Sequence, residues 1–165
     1  MILTTHAIVG AAVGRLFPFN PIIAFLAGFV SHFVIDAIPH WHYKVESIES
    51  EPKSSERAFL INKRLVFDFF VIGLDLLIGL YLAMEIFDRG DYSNYSVFAG
   101  ALGGIFPDGL VFLSLIWRTK ILLLFRKFHR FVHARWNINK SFVLGPLSQL
   151  VFIVIAVLIS KMILG

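Results

Sequence analysis

The residues of this chain best suited to chemistry are histidines and aspartates. SHFVIDAIPHWHY, Ser31 to Tyr43, places His32, Asp36, His40 and His42 within eleven residues. His32 and Asp36 are four residues apart, so on a helix they share a face and could hold one cation between a ring nitrogen and a carboxylate oxygen. His129 and His133 in FHRFVH repeat that spacing, while TTH supplies His6 and GGIFPDG supplies Asp108. With no cysteine in the chain, a metal would be held by nitrogen and oxygen alone. Such a donor set suits zinc first, with manganese and iron also compatible. A metal would lower the pKa of bound water, and Asp36 or Asp68 could take up the proton. Asp68 and Asp75 could equally make polar contacts between helices or orient a ligand histidine.

These residues are set in a very apolar chain. Of 165 residues 58% are hydrophobic and 16% charged, against roughly 45–50% and about 25% in soluble domains. Mean hydropathy is +0.79. The composition predicts an all-α, polytopic membrane bundle in one domain, 1–165, of about four to five spans. Apolar segments run over Thr5–Phe17, Ile22–Ile38, Leu65–Phe87, Ser96–Trp117 and Phe142–Leu164. The first two are short enough to form a re-entrant hairpin, with a turn at Phe17–Pro21. Gly100, Gly103 and Gly104 are small enough for helices to approach closely. Residues 41–63 form a polar loop with no periodicity, predicted to be mobile. Residues 118–140 carry seven Lys/Arg and no acid, with Ile121, Leu124, Phe125, Phe128, Phe131 and Val132 at helical spacing, and predict a basic amphipathic helix in the headgroup plane.

The net charge of +4 fits topology and anionic lipid rather than nucleic acid. Five Lys/Arg fall in 39–64 and seven in 118–140, while the 88–94 turn has only Arg89. The positive-inside rule then places the first two connections and the N-terminus on the cytoplasmic side of an inner membrane. On that topology His6, His32, Asp36, His40, His42, Asp108, His129 and His133 all collect at one membrane face as candidate metal ligands, and Asp68 lies one turn into a span from the same side.

Two resemblances follow from these residues. HFVIDAIPHWH resembles the HxxxDx5H element of zinc-dependent phospholipase C and related nucleases, matching at His32, Asp36 and His42. TTH, GFVSHFVID, GGIFPD and FHRFVH together are similar to elements of bacterial membrane-bound metal-dependent hydrolases. In that family the PD element usually continues to a second Asp and a His, where this chain has Gly109 and Leu110. The resemblance implies metal-dependent hydrolysis of a phosphoester, with a lipid among the candidate substrates, and membrane lipids as partners. A basic helix holding an anionic headgroup agrees with it. The residues also allow a non-catalytic metal or haem carrier, and a structural or partner-binding membrane subunit.

Overall fold

A computed structural model of the chain describes residues 1–41, 63–87, 90, 93–134 and 144–164. Among them are six helices and no strand: α1 (Leu3–Gly14), α2 (Pro21–Asp36), α3 (Lys63–Phe87), α4 (Ser93–Ile116), α5 (Lys120–Val132) and α6 (Leu144–Leu164). The chain is an all-α membrane bundle. Three described helices are long and apolar enough to cross a bilayer, with spans at Leu65–Phe87, Asn94–Ile116 and Gly145–Ile163. At 12 and 16 residues, α1 and α2 rise only about 18 and 24 Å, less than a hydrocarbon core of about 30 Å. The expected four to five spans are therefore three full-length helices and a short α1–α2 hairpin. Most of the polar 41–63 loop, and the stretch from 135 to 140, lie outside the described residues.

Local chemistry sets the ends of the hairpin. α1 stops at Gly14, and Asn20 caps α2 by accepting the Ile23 N–H at 3.1 Å. Pro21 takes the first helical position, where its missing N–H leaves nothing unpaired. Pro39 lies just past the end of α2, turning the chain so that His40 follows the helix rather than extending it.

The short α1 is the centre of the molecule. It packs against α2, α3, α4 and α6, and all its residues from Thr4 to Ala12 are buried. Ala7, Ile8, Ala11 and Ala12 meet Ala83, Phe87, Val97 and Ala101 in one cluster. Glycines make this closeness possible, as their size predicts. A Cβ on Gly104 would run into the carbonyl of His6, and one on Gly100 into the carbonyl of Gly10. The α1–α4 seam therefore leads directly to His6.

Two polar side chains from long helices grip the start of α1, whose first N–H groups have no partner within the helix. Asp75 of α3 accepts the Leu3 N–H at 2.7 Å, the Thr4 N–H at 3.2 Å and the Thr4 hydroxyl at 2.6 Å. Gln149 of α6 accepts the Ile2 N–H at 3.1 Å and the Thr5 hydroxyl at 2.9 Å. Its amide donates to the Trp41 carbonyl at 2.9 Å. The Trp41 ring lies against Gly145, where a Cβ would clash with it. So α6 fixes both the start of α1 and the segment that follows α2.

α5 lies across the end of α2 and α4. Phe33 holds it there through edge contacts with Phe128, ring centroids 5.2 Å apart, and Phe125, 6.2 Å apart. The Ala134 N–H donates to the Asp36 carbonyl at 2.8 Å, tying the two helix ends together. Ile121, Leu124, Phe128 and Phe131 remain exposed on α5, as do Lys127 and Arg130. This surface is the one an interfacial helix presents.

Candidate metal centre

Four elements deliver histidine or aspartate to one end of the bundle. α1 brings His6, α2 brings His32 and Asp36 with His40 just beyond, α4 brings Asp108, and α5 brings His129 with His133 at its C-cap. His6, His32, His40, Asp36 and His129 are all buried. The side chains of Asp108 and His133 keep 31% and 22% exposure, so the cluster opens on their side.

Asp36 is the hub. Its Oδ2 lies 3.2 Å from Nε2 of His32, 3.3 Å from Nε2 of His129 and 3.8 Å from Nε2 of His133. Its Oδ1 lies 3.2 Å from Nε2 of His6 and 3.4 Å from Nε2 of His40. Asp108 divides its oxygens in a similar way. Oδ1 is 3.8 Å from His32 and 3.5 Å from His129, while Oδ2 is 4.0 Å from His6.

Backbone carbonyls set the ring tautomers. A carbonyl can only accept, so a ring nitrogen bonded to one must carry the proton. Nδ1 of His32 donates to Gly104 at 2.8 Å, Nδ1 of His40 to Ile38 at 2.6 Å, and Nδ1 of His133 to Ala134 at 3.1 Å. In these rings Nε2 is then the nitrogen that can offer a lone pair to the cluster, the arrangement that metal-ligating histidines share. Pro107 removes one N–H from the α4 ladder immediately before Asp108, in the turn whose Gly104 carbonyl His32 uses.

His32, Asp36, Asp108 and His129 form one group whose ligand atoms lie within 4.8 Å of one another, and Asp36, His40 and His133 form a second. The first can be tested against a cation. Four tetrahedral donors at about 2.0–2.1 Å from an ion stand about 3.3–3.4 Å from each other. Nε2 of His32 and Nε2 of His129 are 3.0 Å apart, and the four imidazole–carboxylate separations run from 3.2 to 3.8 Å. These values bracket the tetrahedral edge, so the cluster could bind a metal ion. The His32–His129 separation leaves no gap for a porphyrin plane between the two nitrogens, so this pair does not fit axial haem ligation.

Unsatisfied atoms point the same way. Both ring nitrogens of His6 and Oδ1 of Asp36 are buried without a hydrogen-bond partner, although His6 and Asp36 approach to 3.2 Å. The two atoms are close but misaligned for a hydrogen bond, as two donors turned toward a common ion would be. His129, on α5, is held charged by the two carboxylates. Burial works against its charge, but hydrogen bonds to Asp108 and Asp36 outweigh burial and raise its pKa to about 9. His40 is held neutral instead, by burial first and then by the positive amino terminus, which lower it to about 4.

No protein-family model, curated protein or solved structure matches this chain. The reading of the site therefore stands on its geometry.

Of the ligands expected from sequence, His6, His32, Asp36, His40, Asp108, His129 and His133 come together at one place. His42 lies outside the described residues. Asp68, the other carboxylate expected to accept a proton, is partly exposed on α3 and belongs to neither donor group. Asp75, read as a contact between helices or a support for a ligand, caps α1 three residues before His6. Gln149 and Gly104 complete the support without having been singled out for the site. The one signal pointing to Gln149 was an amide inside an otherwise apolar span.

Proposed function

We propose that this chain is a membrane-embedded, metal-dependent hydrolase acting on a phosphoester at the cytoplasmic face. The observation that carries the reading is the four-donor set of His32, Asp36, Asp108 and His129, gathered from three helices at separations a single divalent cation would impose. Zinc is the first candidate for that ion, since it favours tetrahedral nitrogen and oxygen donors. When bound, such a metal lowers the pKa of a coordinated water toward about 7 and polarises a phosphoryl oxygen.

The chain's own residues supply the rest. The backbone carbonyls of Gly104, Ile38 and Ala134 orient three imidazoles, and Asp36 or Asp108 stands within reach to accept a proton. α5 joins the donors to a substrate surface, because the helix that carries His129 also carries Arg126, Lys127 and Arg130. Their charge draws anionic headgroups, and the exposed Ile121, Leu124 and Phe131 seat the helix at the lipid boundary. The Lys/Arg content of the 39–64 and 118–140 segments supports a cytoplasmic position for this end of the bundle.

A second reading has one observation in its favour. Four protein donors around one point also describe a structural site, which keeps no open position. On that reading the ion fastens α2, α4 and α5 and turns nothing over.

One experiment separates them. The full chain, purified in detergent and loaded with zinc, is assayed on a chromogenic phosphodiester and on phospholipid vesicles, with a chelator arm and a His32→Ala/Asp36→Ala variant. Hydrolysis that disappears with chelation and in the variant supports the proposal. Turnover retained by a metal-free double variant refutes it. Tight zinc binding without turnover on either substrate assigns the structural role.

A further inference from the structure

The two oxygens of each carboxylate face different histidines. Oδ2 of Asp36 and Oδ1 of Asp108 are the oxygens nearest His32 and His129. Oδ1 of Asp36 and Oδ2 of Asp108 are the ones nearest His6, and Oδ1 of Asp36 is also nearest His40. One tetrahedral ion accounts for the first set of donors only. A second donor group remains in Asp36, His40 and His133, and beside it Oδ1 of Asp36 and the His6 nitrogens are buried and lack hydrogen-bond partners. His133 stands beside His40, their ring centroids 4.8 Å apart.

Resting on the metal reading above, we infer that the centre binds two divalent cations, bridged by Asp36. The first is held by His32, His129, Oδ2 of Asp36 and Oδ1 of Asp108. The second is held by Asp36, His40 and His133, with His6 beside Oδ1 of Asp36. A carboxylate bridge of this kind spaces two ions by about 3.5–4 Å, the separation that lets a pair clamp the two reacting oxygens of a phosphoryl group.

Charge sets the substrate class. The two carboxylates carry two negative charges, and the amino terminus of Met1 stands 3.8 Å from Oδ1 of Asp36. Two divalent ions therefore leave a positive surplus at the centre. That surplus selects an anionic substrate, and a phosphate ester is the class that fits it. Asp108 and His133, with 31% and 22% side-chain exposure, mark the side from which a substrate arrives.

The test is stoichiometry. Full-length protein in detergent is loaded with manganese, passed through gel filtration and measured by elemental analysis and electron paramagnetic resonance. The expected result is two manganese per chain with a spin-coupled signal, falling to one uncoupled manganese in His40→Ala and His133→Ala. The wild-type measurement stands even if a variant fails to fold. One uncoupled manganese per wild-type chain overturns the pair and leaves a single-metal hydrolase intact. No retained manganese or zinc overturns both.

Discussion

Asp75 tests how the bundle positions its central helix. Replacing it with leucine keeps the volume and apolar character expected in a span but removes the carboxylate that accepts from the start of α1. Two hydrogen bonds are lost outright, from the Leu3 N–H and the Thr4 N–H, while the Thr4 hydroxyl keeps the Asp75 backbone carbonyl at 2.9 Å. At a net value of about 1 kcal/mol each they amount to about 2 kcal/mol. Two backbone N–H groups are also left facing an apolar side chain, and they raise the loss to about 3–5 kcal/mol. For a chain of this size each kcal/mol lowers Tm by about 2–4 °C, so a fall of about 6–20 °C is expected. Asp75→Asn keeps one acceptor oxygen and should lose less than half as much. Circular dichroism of detergent-purified protein during heating reads both variants. Because His6 lies one turn from the cap, zinc affinity measured by calorimetry should also drop in Asp75→Leu. A leucine variant melting within about 1 °C of the parent would show that the carboxylate does not cap α1.

Other outcomes follow from the same geometry. Gly104→Ala drives a methyl into the His6 carbonyl and should destabilise by about 1–3 kcal/mol, whereas Gly109→Ala, with nothing within 4 Å of the new Cβ, should change the melting point little or raise it. Gln149→Leu releases Ile2, Thr5 and Trp41 together and should weaken zinc binding about 10–100-fold, read by competition with a chelating dye. Zinc affinity should rise with pH, because the ion must displace the proton that holds His129 charged up to about pH 9. Below that value the single displaced proton contributes up to about tenfold per pH unit, and titration calorimetry in buffers of different ionisation enthalpy should register its release.

Much of the centre was legible before the fold. The i, i+4 spacing of His32 with Asp36 fixed their shared face, and charge on the loops pointed to a common end for His6, His40, His129 and His133, which meet Asp36 in the structure. Local spacing has no access to which helices touch, and the misses arise there. α1 looks like the weakest span because it is short, yet glycines at 10, 100 and 104 let it sink to the middle of the bundle and carry His6 inward. Asp68 and Asp75 read alike from sequence, as single acids seven residues apart on one span. Packing separates them: Asp75 meets the bare N–H groups of α1, while Asp68 joins neither donor group. Gln149 acts through partners more than a hundred residues away, a separation no periodicity encodes. His40 shares with Asp36 the spacing of a helical pair, but Pro39 ends the helix between them, so its place depends on Trp41 packing against Gly145.

Whether His32, Asp36, Asp108 and His129 share a cation is read by X-ray absorption at the zinc edge, on zinc-loaded protein in detergent. Nitrogen and oxygen neighbours alone are expected at about 2.0–2.2 Å, with imidazole ring scattering that weakens in His129→Ala. Zinc washing off the intact chain, or a spectrum free of imidazole scattering, would contradict a shared cation.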